Sequence, residues 1–209
     1  MMEKITSDVH QIKILRFFVL LTFLYYFPVI LLWKRIIPFK YRFIVLGGMT
    51  IIGGIIYALF RGFTWHELGF RIDNLKLSLL WNVVRSVLFV IVLLVLYKSG
   101  FTGSSSAPKW SYYFVFYVLI SIPAQEFAYR SLLFAEMTDI GINNPYLMII
   151  ISSTTFSFLH IIFNNPKNVS LSFLLGLIWG FIYLKSPNFW GISFSHMILG
   201  VLSIYNGIV

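Results

Sequence analysis

The sequence predicts an all-α polytopic membrane protein of about seven transmembrane helices, with a polar site buried among the C-terminal four. Three observations predict it. Of the 209 residues, 59% are hydrophobic and only 11% are charged, under half of the roughly 25% usual in soluble domains. The mean hydropathy is +0.86, and the apolar residues gather in runs near the roughly 20 that a helix needs to cross a bilayer. Four ionisable groups inside these runs fall late in the chain: Glu126 and Arg130 in ISIPAQEFAYRSLLF, His160 in TTFSFLHIIF and His196 in GISFSHMILG.

The spans follow in order. Ile14 to Trp33 is the first, preceded by basic residues as a signal peptide would be, yet lacking a small-x-small cleavage site, so it is read as retained. Phe43 to Phe60 is the second, rich in glycines that let membrane helices approach one another. Arg61 to Lys76 is too charged to cross and is expected at the interface, where Trp65 and Phe70 suit the depth. Leu77 to Tyr97 is the third span and carries Arg85. The Gly/Ser-rich stretch from Lys98 to Lys109 is the clearest break, and it divides an N-terminal unit, 1–109, from a C-terminal helical core, 110–209.

In that core, Trp110 to about Met137 is interrupted by Pro123, which removes one helical hydrogen bond and predicts an opened turn just before Glu126. Tyr146 to Phe163, Ser170 to Leu184 and Phe189 to about Tyr205 complete the count. Asn144-Pro145, Asn165-Pro166 and Ser186-Pro187-Asn188 mark the turns between them.

Charge and cysteine content narrow the chemistry. The net charge of +9 comes from basic residues placed where apolar runs stop, Lys13 and Arg16, Lys34 and Arg35, Lys40 and Arg42. That is the pattern of anchoring to anionic headgroups, and no nucleic-acid partner is expected. Lysines and arginines outside the spans divide evenly, seven to a side, so they cast no vote on orientation. The absence of cysteine excludes disulfides, thiol nucleophiles and thiolate metal sites. Any catalysis must use oxygen and nitrogen groups.

A charged group at the centre of a membrane helix costs roughly 2.5–3.5 kcal/mol, so such groups face one another or a wet cavity and mark function. Residues four apart share a helix face, which stacks Glu126 with Arg130, Gln125 with Tyr129 and Phe156 with His160. Glu126 and Arg130 form a neutralising ion pair in this reading, and His160 taken alone is also consistent with a core imidazole bonded to a carbonyl. Together, one acid and two imidazoles on three helices predict convergence on one centre. They allow a carboxylate and imidazoles acting on water, or Glu126, His160 and His196 ligating a divalent metal such as zinc. His66-Glu67-Leu68-Gly69-Phe70 begins like a zinc-protease motif but lacks its second histidine, and is read as interfacial packing.

QEFAYR (Gln125 to Arg130), FSFLH (Phe156 to His160) and SHMILG (Ser195 to Gly200) resemble the three motifs of the CPBP family of CAAX-protease and bacteriocin-processing membrane proteins, also called Abi proteins. The family patterns are Glu-Glu-x-x-x-Arg, Phe-x-x-x-His and His-x-x-x-Asn. Their order and spacing match over Trp110 to Tyr205, and TWHELGFR (Thr64 to Arg71) resembles a segment that many bacterial members carry upstream. The resemblance implies an intramembrane endopeptidase in a bacterial cell membrane that acts on a hydrophobic or lipid-modified peptide or protein. In it a glutamate and the first histidine activate water, and the second histidine and the asparagine hold the oxyanion.

Carried over to this chain, Glu126, His160 and His196 are the catalytic candidates, with Gln125, Arg130, Tyr129, Phe156 and Gly200 in support and no required cofactor. Two positions depart from the pattern. Gln125 stands at the first glutamate, where an amide cannot take a proton, and Gly200 replaces the asparagine. These departures leave a second reading open, that of a catalytically impaired relative serving as a membrane immunity factor or scaffold. A small transporter is a third.

Overall fold

The computed structural model describes residues 2–99 and 112–205, which form seven helices and the segments between them. They are α1 (2–33), α2 (Phe39–Arg61), α3 (Leu75–Lys98), α4 (112–139), α5 (Pro145–Phe163), α6 (Pro166–Lys185) and α7 (Phe189–Tyr205). Among the described residues, five helices are long and apolar enough to cross a membrane: Asp8–Trp33, Phe39–Arg61, Leu75–Val92, Pro145–Phe163 and Pro166–Lys185. Phe189–Ser203 is a shorter apolar helix, and α4 is the one broken by polar residues. The chain is an all-α integral membrane protein. The polar break at Lys98 to Lys109 lies, from Gly100 onward, outside the described residues, as does Trp110.

Local chemistry sets the helix ends. The side chains of Asn144 and Asn165 each accept from two backbone N–H groups of the turn that follows, and a proline fills the next position. Helix α5 tightens at His160–Phe163 and ends at Asn164, whose φ of 52° is the left-handed conformation that asparagine tolerates.

Helix α4 carries the acid motif and is the least regular. Wide π-turns occupy Tyr117–Ser121 and Phe127–Leu132, on either side of the short helical piece Ile122–Glu126. The opened turn expected at Pro123 is present: the Ile122 N–H donates to Tyr117 O, five residues back. Each π-turn advances the register and re-aims the side chains beyond it.

Close approaches position the four C-terminal helices. A Cβ on Gly176 would lie 2.9 Å from Ser153 Cα, so α6 sits directly on the small-residue face of α5. A Cβ on Gly191 would strike Ser78 Oγ, which sets α7 against α3. Gly54 meets Phe127 within the chain, whereas Gly47 and Gly48 face open space. The N-terminal helix packs into the same core: Tyr25 Oη donates to Ala128 O at 2.7 Å, and Tyr26 Oη lies 3.3 Å from Thr155 Oγ1.

The basic residues Lys13 and Arg16 are not simple headgroup anchors, which corrects the reading made from charge placement. Arg16 bonds Glu136 at 2.8 Å and Asp139 at 2.6 Å, Arg61 bonds the same two acids at 3.2 and 2.6 Å, and Lys13 donates to Asp139 O at 2.9 Å. Glu136 is fully buried, so this network joins α1, α2 and α4 with a charge that has no contact with water.

The segment between α2 and α3 folds as a series of turns. Phe70 stacks on Phe189 at 4.2 Å, and Phe189 N–H donates to Gly69 O at 2.8 Å. Gly69 has φ +78°, and a Cβ there would lie 2.5 Å from Tyr183 Oη, so both its conformation and its neighbour require glycine.

Candidate functional site

The motif side chains of α4 and α7 meet. His196 Nδ1 lies 2.6 Å from Glu126 Oε1, with Glu126 fully buried and His196 4% exposed. A carboxylate can only accept, so Nδ1 carries the proton and Nε2 presents a lone pair. On the other side of the carboxylate, Arg130 Nε stands 3.5 Å from Oε2, which is the intrahelical pair expected from the four-residue spacing. Glu126 therefore holds an imidazole with one oxygen and faces a guanidinium with the other.

Aromatic rings build the walls. Trp179 of α6 stacks on His196 at 4.2 Å between centroids and 30° between planes, and its indole N–H donates to Ser195 Oγ at 3.1 Å. Ser195 is fixed in turn by Ser86 of α3 at 2.8 Å. Phe156 meets His196 edge-on at 5.8 Å, and its face takes the Arg130 guanidinium at 4.5 Å. Tyr129 closes this wall against Phe156 and Tyr25. Glu126 Oε2 and all three Arg130 nitrogens are buried without a hydrogen-bond partner among the described residues, so the centre keeps unspent acceptor and donor capacity.

His160 belongs to the same wall. Its ring packs on Phe156 at 4.9 Å, and Nδ1 donates to Phe156 O at 3.1 Å. That is the bond of a core histidine, yet it also fixes the tautomer and leaves Nε2 as an acceptor. Both imidazoles thus touch one phenyl ring, and among the described residues neither Nε2 has a hydrogen-bond partner.

The Gln125 amide donates to Ser121 Oγ at 3.1 Å, one turn back along α4. At Gly200 the structure supplies a group that motif reading missed. A Cβ there would lie 2.9 Å from Tyr117 Oη, so a phenol occupies the space that a longer side chain at position 200 would take. The only sequence signal was the pairing of a tyrosine six residues ahead of Pro123 with a glycine in the last motif.

Among the described residues, no three of His, Asp and Glu gather as a set that could hold a metal ion. His66 and Glu67 stand apart from the centre. Glu67 accepts from Thr64 N–H and from Thr64 Oγ1, both at 2.8 Å, and these bonds, the backbone one first, hold its carboxyl below the ordinary value.

With this geometry in place, the chain can be compared with known proteins. Residues 106–202 match the family described as Type II CAAX prenyl endopeptidase Rce1-like, a stretch that contains all three motifs and just under half of the chain. No curated protein and no solved structure matches the chain. Over the matched region the chain is similar to CAAX-type intramembrane proteases.

Proposed function

We propose that the protein is an intramembrane endopeptidase that hydrolyses a peptide bond in a membrane-associated peptide, hydrophobic or lipid-modified, in a bacterial cell membrane. The observation that carries this reading is the buried 2.6 Å contact between Glu126 Oε1 and His196 Nδ1. A carboxylate against Nδ1 fixes the imidazole's tautomer and stabilises its protonated form, while the free Nε2 serves as general base. Glu126 is then the orienting group and His196 the base.

This division of roles differs from the one implied by the motif resemblance, where the glutamate side activates water. Here the residue at the first acidic position is Gln125, and its amide is spent on Ser121. In the proposed step, water adds to the scissile carbonyl carbon as His196 Nε2 takes its proton. The C–N bond then breaks as His196 returns that proton to the departing amine. His160 Nε2 orients the water, and the Tyr117 hydroxyl, one helical turn along from His196 at Gly200, donates to the carbonyl oxygen as it gains charge.

The test is a proteoliposome assay on the full chain with an internally quenched farnesylated peptide as probe. Cleavage by the wild type and its loss in His196→Ala and Glu126→Gln, with helical content and monodispersity unchanged, is the expected result. Cleavage at wild-type rate by both variants sinks the proposal. A cellular phenotype that survives both substitutions would instead identify a scaffold. Metal analysis of the same preparation separates the side-chain mechanism from a zinc-dependent one: stoichiometric zinc lost in His196→Ala would overturn the former.

A further inference from the structure

Away from the candidate centre, α3 and α6 enclose a groove of about 430 Å³ with an unusual combination of walls. Its length is apolar, formed by Leu88 and Val92 of α3 and Leu177 and Ile178 of α6. One end carries a full positive charge. Arg85 lies ten residues into α3, about 15 Å along its axis from Leu75, and its guanidinium rests on Phe181 at 4.7 Å and on Trp81 at 5.3 Å. Lys185, the last residue of α6, approaches the same Phe181 ring at 5.8 Å. Among the described residues neither cation has an ion pair or a hydrogen bond, and Asp73, the acid just before α3, is engaged by Arg71.

These facts combine into a shape with polarity. Trp81 stands one turn toward the start of α3 from Arg85, so the guanidinium leans toward the end where Lys185 sits. From there the groove runs deeper past Leu88 and Val92, one and two turns on. A guanidinium offers five N–H donors in a fork that matches a phosphate, and aromatic faces supply none of the acceptors it needs. A cation that lines one end of an apolar slot, with a second that shares its Phe181 ring, fits a ligand with an anionic head and a hydrocarbon tail. The slot is within the roughly 300–1,000 Å³ of small-molecule sites.

We infer that the α3–α6 face is a binding site for an anionic glycerophospholipid, with the phosphate held between Arg85 and Lys185 and one acyl chain laid along the groove. The commitment to a lipid rather than a soluble phosphate rests on the apolar slot that continues from the cations and opens to the bilayer side of the two helices, where Leu88 and Phe181 are 59% and 41% exposed. The inference is independent of peptidase activity. It names a site that shares no residue with the Glu126–His196 centre.

The experiment uses the full chain in phosphatidylcholine bilayers with spin-labelled phosphatidylglycerol or spin-labelled phosphatidylcholine as probe, and reads the association ratio of the two. The wild type should prefer phosphatidylglycerol, and Arg85→Gln should reduce that preference about fivefold, the share of one cation near a membrane surface. Lys185→Gln, at a helix end where folding is least at risk, should reduce it likewise. Leu177→Trp, which fills the slot and leaves both charges, should also weaken association. Lys34→Gln, at a headgroup-level cation that does not line the groove, should lower the ratio less than Arg85→Gln does. The inference is overturned if Arg85→Gln and Lys185→Gln keep the wild-type ratio, if Lys34→Gln lowers it equally, or if millimolar glycerol phosphate displaces the labelled lipid.

Discussion

The Tyr117 hydroxyl stands 2.9 Å from the point that a Cβ on Gly200 would occupy, one helical turn beyond His196. The two residues lie 83 positions apart in sequence, yet the phenol fills the volume the glycine leaves. If that hydroxyl donates to the reacting carbonyl, Tyr117→Phe lowers kcat about 100-fold with KM little changed, the scale of one lost oxyanion donor. Gly200→Asn alone should be impaired by collision with the phenol. Tyr117→Ala combined with Gly200→Asn should recover a substantial part of the activity, because the amide then has room and a donor is restored. Steady-state kinetics on the quenched farnesylated peptide decide the matter.

The contact between Glu126 and His196 gives a second expectation. Glu126→Gln keeps the shape of the acid but no longer stabilises a protonated imidazole, so kcat should fall by about 10²–10⁴-fold. Glu126→Asp shortens the reach to Nδ1 and should fall between the variant and the wild type. A Glu126→Gln enzyme with unchanged kcat would leave the carboxylate with no part in orienting the base.

Glu136 carries no exposed surface and answers both Arg16 and Arg61. Glu136→Gln leaves two guanidinium groups short of charge compensation, and about 3 kcal/mol of stability should be lost, the scale of a broken buried pair. Thermal or urea-dependent loss of helicity in detergent measures it. The double variant Arg16→Met and Arg61→Met on the Glu136→Gln background should recover part of that loss.

Gly176 faces the backbone of Ser153 too closely for any added carbon to fit without movement. Gly176→Val should cost roughly 1–3 kcal/mol by forcing α5 and α6 apart, and because Trp179 lies on the same helix its stacking on His196 should loosen as well. A drop in melting temperature together with reduced activity checks this. Gly47→Val, which meets nothing within 4 Å, is the matched control and should be near neutral.

At the interface, Glu67 has its carboxyl held below the ordinary value by Thr64. Such a group binds a proton less readily folded than unfolded, so its contribution is complete above the unfolded value near 4.3 and fades as pH falls through the lower folded one. Glu67→Gln should therefore cost under about 1 kcal/mol at pH 7, in keeping with its exposure. The difference from wild type should narrow below about pH 4, which paired melts at the two pH values would show.

Much of the architecture was legible because it is written in local chemistry. Hydropathy located the helices, and Asn144-Pro145 and Asn165-Pro166 marked their starts, since capping depends on neighbours in the chain. The spacing of Glu126 and Arg130 foretold their pairing for the same reason. What stayed hidden is long-range. The partners of Arg16 lie 120 and 123 residues away, so its charge read as an anchor. Trp179 stands in an apolar run, and only the crossing of α6 and α7 makes it the plate against His196. The two π-turns of α4 are predicted by no residue count, because they depend on how the helix settles against its neighbours.

The ion network between α1 and α4 also constrains biogenesis. Lys13 and Arg16 leave the ribosome more than a hundred residues before Glu136 and Asp139 are made, so the first helix enters the bilayer with its cations uncompensated and must hold them among the headgroups. Only when the fourth helix arrives does that anchorage become an internal latch. The order of synthesis thus makes closure of the bundle a late event in the life of the nascent chain.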